Sequence, residues 1–160
     1  MRLALFALLA LACALPASAA GAPYKAPGNK VLWGGQGGYS AGSIADFERQ
    51  SGKHPAVFNY FIDWGSQDGF LGGRLDDARR MGSRAMISLS TKGTRLTPGD
   101  LAAGGGDAFL VRLNRLFADR GEVVYVRPLS EMNNGNNPYS SYDLSGRSRG
   151  PAFSTRQFKQ

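Results

Sequence analysis

The chain has 160 residues, with 19 Lys and Arg against 12 Asp and Glu, a net charge of +7 and one cysteine. That cysteine, Cys13, lies within the first 20 residues, so beyond them disulfides, thiol catalysis and cysteine-based metal sites are excluded. The basic residues are scattered and do not interleave with stacking aromatics, which argues against a nucleic-acid partner.

Residues 1–20 read as a secretory signal. Arg2 supplies the charged start, residues 3–15 are apolar, Pro16 breaks the helix, and Ala17-Ser18-Ala19 is a small-x-small cleavage site. A bilayer span needs about 20 apolar residues. The segment is shorter, so the expectation is cleavage near Ala19, an extracellular location and no membrane association afterwards. A lipoprotein cut before Cys13 would have to follow Ala10-Leu11-Ala12, a poor match. Loss of Arg2 leaves 18 basic against 12 acidic residues, a net +6. Residues 21–30, with Pro23, Pro27 and Gly28, form a linker, and residues 31–160 the domain.

Val31-Leu32-Trp33 is expected to be a short buried first strand. The glycine-rich Gly34-Gly35-Gln36-Gly37-Gly38 after it lacks both the dinucleotide fingerprint and the Walker lysine, so no nucleotide cofactor is implied. It reads instead as a flexible loop over which a sugar can approach the backbone. Residues 43–50 form a helix with Ser43 as N-cap, Asp46 as the capping-box acid, Ile44, Phe47 and Ala45 toward the sheet, and Ser51-Gly52 as its stop. His54, before Pro55, falls at the start of the next strand, away from any chemistry.

Residues 56–62 are the second strand, ending in Asp63-Trp64-Gly65. Trp64 is a candidate to stack on a pyranose ring, the alternative being a tryptophan capping the sheet rim. Asp63 would accept from a sugar hydroxyl or cap the next segment. Phe70, Leu71, Leu75, Ala78 and Met81 have the spacing of a helix face closed by Gly82, and residues 84–90 are a third strand that reads as covered on both faces. Thr97, Pro98 and Asp100 have the order of an N-cap, first-turn proline and capping acid. Asp107 opens a longer helix with Phe109, Leu110, Leu113, Leu116 and Phe117 on its buried face, and Gly121 ends it.

Val123-Val124-Tyr125-Val126 then begin a fourth, buried parallel strand, and polar chemistry gathers at its C-terminal end: Arg127, Ser130, Glu131, Asn133 and Asn134. In a barrel of alternating strands and helices, that end is where catalytic residues sit. Glu131 is therefore read as a general acid, against the plainer reading of a solvated loop carboxylate. The segment after Asn134, rich in Asn and with Tyr139 and Tyr142, is long for a connection and suits sugar binding. Residues 153–158 begin a fourth helix. Strands near Val31, Val57, Ala85 and Val123 are 26, 28 and 38 residues apart, each interval holding one strand and one helix.

Arg127-Pro128-Leu129-Ser130-Glu131-Met132-Asn133 resembles the fourth-strand signature of glycoside hydrolase family 26, best known for endo-β-mannanases. The resemblance runs from about Val31 to the end of the sequence and covers the first half of the family's barrel. It implies an α/β fold, a (β/α)8 TIM barrel of which this chain holds the first four βα units, so that the sequence reads as a truncated N-terminal half. It further implies a secreted, retaining β-glycanase with Glu131 as acid/base, and a polysaccharide substrate, β-mannan or a related β-glycan. Substrate contacts fall to Trp64, Arg127, Ser130, Asn133 and Tyr139, with Arg127 either orienting carboxylates by charge-assisted hydrogen bonds or making a structural ion pair in the barrel. No metal and no other cofactor is implied.

The family's nucleophile follows the seventh strand, and no position here matches it; Asp63 and Asp143 are not substitutes on sequence grounds. The family has His directly before the catalytic Glu, where this chain has Ser130, and Gly then Trp after Glu-Met-Asn, where it has Asn134-Gly135. Xylan and mixed-linkage glucan therefore stay open as substrates, as does a non-catalytic glycan-binding protein. A half barrel would carry two unpaired edges, at strands one and four, and so be marginal, dimeric or insoluble by itself.

Overall fold

A computed structural model describes residues 26, 28–38 and 40–160. The expected signal segment with its cleavage site, Cys13 and most of the expected linker lie outside the described residues.

Four strands form one parallel sheet in the order β1-β2-β3-β4: β1 Gly34–Gln36, β2 Val57–Asp63, β3 Arg84–Ser90 and β4 Tyr125–Pro128. Helices alternate with them: α1 Ala41–Ser51, α2 Asp68–Arg80, the single turn and a half of α3 Pro98–Ala102, and α4 Asp107–Asp119. A 3-10 turn, Pro151–Phe153, and a short α5, Thr155–Phe158, follow. The chain is thus α/β, built of alternating β-α units. When each strand is the neighbour of the next and each crossover is right-handed, every helix falls on the same face of the sheet.

The packing follows from that. Phe58, Tyr60, Ile62 and Trp64 of β2 and its end alternate onto the helix face, as do Ala85, Ile87 and Leu89 of β3. Ile44 of α1, Leu71, Leu75 and Ala78 of α2, and Phe109 and Leu113 of α4 close over them. The core is aromatic at one end, where Phe58 meets Phe47 and Tyr60 edge-on at centroid distances of 6.2 and 5.4 Å. Among the described residues no helix lies over the other face of the sheet. The expectation that β3 is covered on both faces is therefore corrected: its odd face is buried and its even face is only half-buried except at Ser88.

The two outer strands differ from the sequence reading. Val31 is 91 % exposed and Trp33 47 %, and the first strand lies three residues later, over glycines. The Trp33 carbonyl already accepts from Ala56 N–H at 2.7 Å, which starts the pairing with β2. The glycines are there for packing rather than for a flexible loop. A Cβ on Gly35 would stand 2.6 Å from the Phe47 ring, so only glycine lets α1 seat that ring on the strand. At the opposite edge β4 is exposed along most of its length, with Val126 43 % exposed, rather than buried. Pro128 at its end lines a groove with Leu101, Leu110 and Phe158, and among the described residues α5 and the 3-10 turn contact α3.

Local signals explain most helix ends. Thr97 Oγ1 accepts from Asp100 N–H at 3.1 Å while Asp100 Oδ2 accepts from Thr97 N–H at 2.8 Å, the expected reciprocal box. Those bonds, from the Thr97 backbone first and its hydroxyl second, hold the Asp100 carboxyl below its usual range. In α1 the cap is Ser40, whose N–H donates to Ser43 Oγ at 3.4 Å, and Asp46 pairs with Arg49 at 2.6 Å instead of capping. Ala45 and Leu110, expected inside, are exposed, while Gly52, Gly82 and Gly121 take positive φ where their helices stop.

Candidate active site

The C-terminal ends of β2, β3 and β4 frame a cleft of about 420 Å³. In open parallel sheets ligands bind at that end, outside the carboxyl ends of the strands. From β2 come Phe61 and Asp63, from the end of β3 Ser90 and the following Lys92, and from the turn after β4 Ser130 and Glu131; Asn137 and Tyr139 complete the wall.

Strand alternation decides which residues arrive. Residues 61 and 63 share one face of β2, and residues 62 and 64 the other. Trp64 is accordingly buried, 6 % exposed, on the helix side, tilted against Phe109 at 5.6 Å and pressed onto Gly106. The expected sugar-stacking role of Trp64 is corrected: it is a core residue. The aromatic that faces the cleft is Phe61, 39 % exposed, and the period-2 pattern around Asp63 was the signal that could have found it.

Glu131 does stand in the cleft. Its side chain is exposed, and Oε2 accepts from Asn134 Nδ2 at 3.2 Å. Its backbone is held at φ 58°, and that of Leu129 at φ 49°, both in the left-handed region that non-glycine residues rarely adopt. Each such residue costs about 1 kcal/mol or more, and such strain gathers at functional sites. The turn between them is anchored on three sides. Leu129 N–H donates to the Leu89 carbonyl at 2.8 Å, Tyr139 Oη donates to the Ser130 carbonyl at 2.5 Å, and Asn137 Nδ2 donates to the Glu131 carbonyl at 2.9 Å.

Tyr139 lines the cleft but is buried, and its hydroxyl proton is committed to Ser130. Burial is the largest influence on its hydroxyl and raises its pKa; the hydrogen bond to Ser130 works the other way, and the Glu131 charge raises it further. Ser130 lines the cleft as expected. Asn133 is exposed and stands outside the cleft wall, where Asn137 supplies the amide instead. Arg127 lies lower on the same face, in a separate groove of about 580 Å³ beside Tyr125, Met86 and Asn59. Among the described residues it has no ion-pair partner, and it lines that groove rather than the wall of the cleft. A polar chain runs across the sheet there, from Ser88 Oγ to Asn59 Oδ1 at 2.7 Å and from Asn59 Nδ2 to Gln36 Oε1 at 3.5 Å.

The remaining acids separate cleanly. Asp63 shares the cleft with Glu131. Asp143 does not: its carboxylate accepts from Ser145 N–H at 2.8 Å and from Arg147 N–H and Nε at 3.0 Å, and these bonds, the Arg147 backbone first, hold its pKa below the usual range. His54 lies at the other end of the sheet, between Glu48 and Ser83. Among the described residues no group of three His, Cys, Asp or Glu stands close enough to hold a metal ion, and no helix is long and apolar enough to cross a membrane. The cleft can therefore present one exposed carboxylate for proton transfer, a second carboxylate and an ammonium for hydroxyl groups, and one aromatic face.

No protein-family model matches the chain, and no curated protein is significantly similar to it.

Proposed function

We propose that this cleft is the acid/base side of a secreted β-glycan hydrolase of the family 26 type, built on a (β/α)8 barrel whose first four units are the ones described. The observation that carries the reading is Glu131. An exposed carboxylate is held by a strained, hydrogen-bonded turn at the C-terminal end of a parallel strand, at the mouth of a cleft that also holds an aromatic ring and hydroxyl-binding groups. Glu131 donates its proton to the leaving glycosidic oxygen and later takes one from water. Phe61 meets the apolar face of a sugar ring. Asp63 accepts from sugar hydroxyls. Its backbone is two strands away from β4, roughly 10 Å at the spacing of neighbouring strands. In the family the nucleophile follows the seventh strand, so this reading gives Asp63 no nucleophilic role.

The test is a titration of the isotopically labelled chain with β-1,4-mannohexaose, xylohexaose and a mixed-linkage glucan tetrasaccharide. Resonances of Phe61, Asp63 and Glu131 should shift with at least one of them, most with the manno-oligosaccharide, at millimolar Kd, which corresponds to about 4 kcal/mol. Phe61→Ala should weaken binding by about tenfold, the worth of one ring contact. Silence of the cleft toward all three glycans would reject the reading. A second reading, glycan binding without hydrolysis, is favoured by Asp63 being, among the described residues, the only other carboxylate in the cleft wall. Any hydrolysis that Glu131→Gln removes while binding stays within about threefold would decide for catalysis.

A further inference from the structure

We infer that Asn137 and Tyr139 are positioning residues for Glu131, a side-chain clamp that holds the turn after β4 in its left-handed form. The importance of Glu131 rests on the reading above; the clamp itself rests on the geometry alone.

Left to itself, the turn would relax. Leu129 and Glu131, at φ 49° and 58°, each give up about 1 kcal/mol or more relative to the right-handed or extended regions. Such conformations persist only where the surroundings over-determine them. Here both carbonyls of the turn are met by one short segment. Tyr139 Oη donates to the Ser130 carbonyl at 2.5 Å, and Asn137 Nδ2 donates to the Glu131 carbonyl at 2.9 Å and lies 3.4 Å from that of Ser130. Asn134 N–H also donates to the Glu131 carbonyl, at 2.9 Å. Tyr139 and Ser140 are buried, so the clamp is fixed on the side away from solvent.

The segment that carries the clamp is itself braced. Arg149 Nη2 donates to the Gly135 carbonyl at 3.0 Å, and Ser141 Oγ donates to the Phe153 carbonyl at 2.5 Å. At Gly135 a Cβ would come within 2.7 Å of the Asp143 backbone, so the segment crosses itself closely there. The Asn- and Tyr-rich stretch that reads from sequence as a sugar-binding loop therefore works mainly as a scaffold. Two of its side chains spend their donors on the backbone that aims Glu131.

Tyr139→Phe removes one donor at constant shape, and Asn137→Ala removes the other. Both variants are compared with the parent chain and with Tyr142→Phe, an exposed tyrosine outside the clamp. The sequence has three glutamates, Glu48, Glu122 and Glu131, so a chain carrying 13C-labelled Glu gives three assignable carboxyl resonances. The one-bond Cα–Hα coupling of Leu129 and Glu131 reports the sign of φ. In each clamp variant the Glu131 carboxyl resonance should move and the positive-φ signature of Glu131 should be lost or averaged. Glu48 and Glu122 should stay in place and the melting temperature should fall by only a few degrees. Tyr142→Phe should change none of these. An unchanged Glu131 resonance and φ signature in both clamp variants would overturn the inference. If Tyr139→Phe fails to fold, Asn137→Ala decides alone, since its side chain is only half-buried. Neither readout needs a glycan. A silent titration with intact clamp effects would remove the proposed function and leave this inference standing.

Discussion

The two inner strands and the two outer strands belong to one sheet yet are stabilised differently. β2 and β3 each pair on both sides and turn an unbroken apolar row to the helices, with Phe58, Tyr60, Ile87 and Leu89 fully buried. β1 and β4 pair on one side only. β1 is three residues long with no apolar side chain of its own, and β4 leaves Val126 in partial contact with solvent. A strand's place in this sheet is thus set by what pairs with it and what lies over it; apolar content marks the centre and misleads at the edges. The unpaired edges fall at β1 and β4, where a four-strand sheet must have them.

Truncation at the centre should have the largest effect. Ile87→Ala should cost about 2–5 kcal/mol, whereas Val126→Ala on the edge should cost under about 1 kcal/mol, because less surface is removed from a packed environment. Urea unfolding of the two variants measures the difference directly, and equal losses would mean that β4 is covered after all. Next comes the β1 edge. Gly35→Val places side-chain atoms where the Phe47 ring already sits, and overpacking of this kind costs about 1–3 kcal/mol. Trimming the ring in a Gly35→Val, Phe47→Ala double variant should recover part of that loss, and strictly additive losses would show that the two positions do not meet.

The smallest effect should have the opposite sign. Among the described residues Tyr60 Oη is buried without a hydrogen-bond partner, and burial first, then the charge of Asp77 against that of Arg74, pushes its pKa up to about 12. The hydroxyl is neutral in the folded chain, while the unfolded chain begins to lose that proton near pH 10, so stability contributed by this group is present below pH 10 and declines as pH rises toward 12. Tyr60→Phe removes an unsatisfied donor at nearly constant volume. It should be neutral or stabilising by about 1 kcal/mol and should flatten the alkaline decline in melting temperature between pH 10 and 12. An unchanged decline would assign it to other groups.

Much of the order of elements was legible. Residues 84–90 are a strand with the bounds expected, the Thr97 box and the glycine stops stand where their chemistry requires, and Glu131 reaches the cleft because the end of a parallel strand is where such a residue is delivered. These are local facts: a cap and a stop act over a few positions, and the sequence by itself determined them. Tertiary structure alone decided which face each residue took. Trp64 went to the core and Phe61 to the cleft because the side-chain period of a strand is two, and a shift of one residue exchanges the faces. Val31 stayed outside, and the strand formed over glycines, one of which, Gly35, leaves room for the Phe47 ring of α1. The aim of Glu131 was decided at longer range still, by donors six and eight residues along the chain whose direction no local pattern carries.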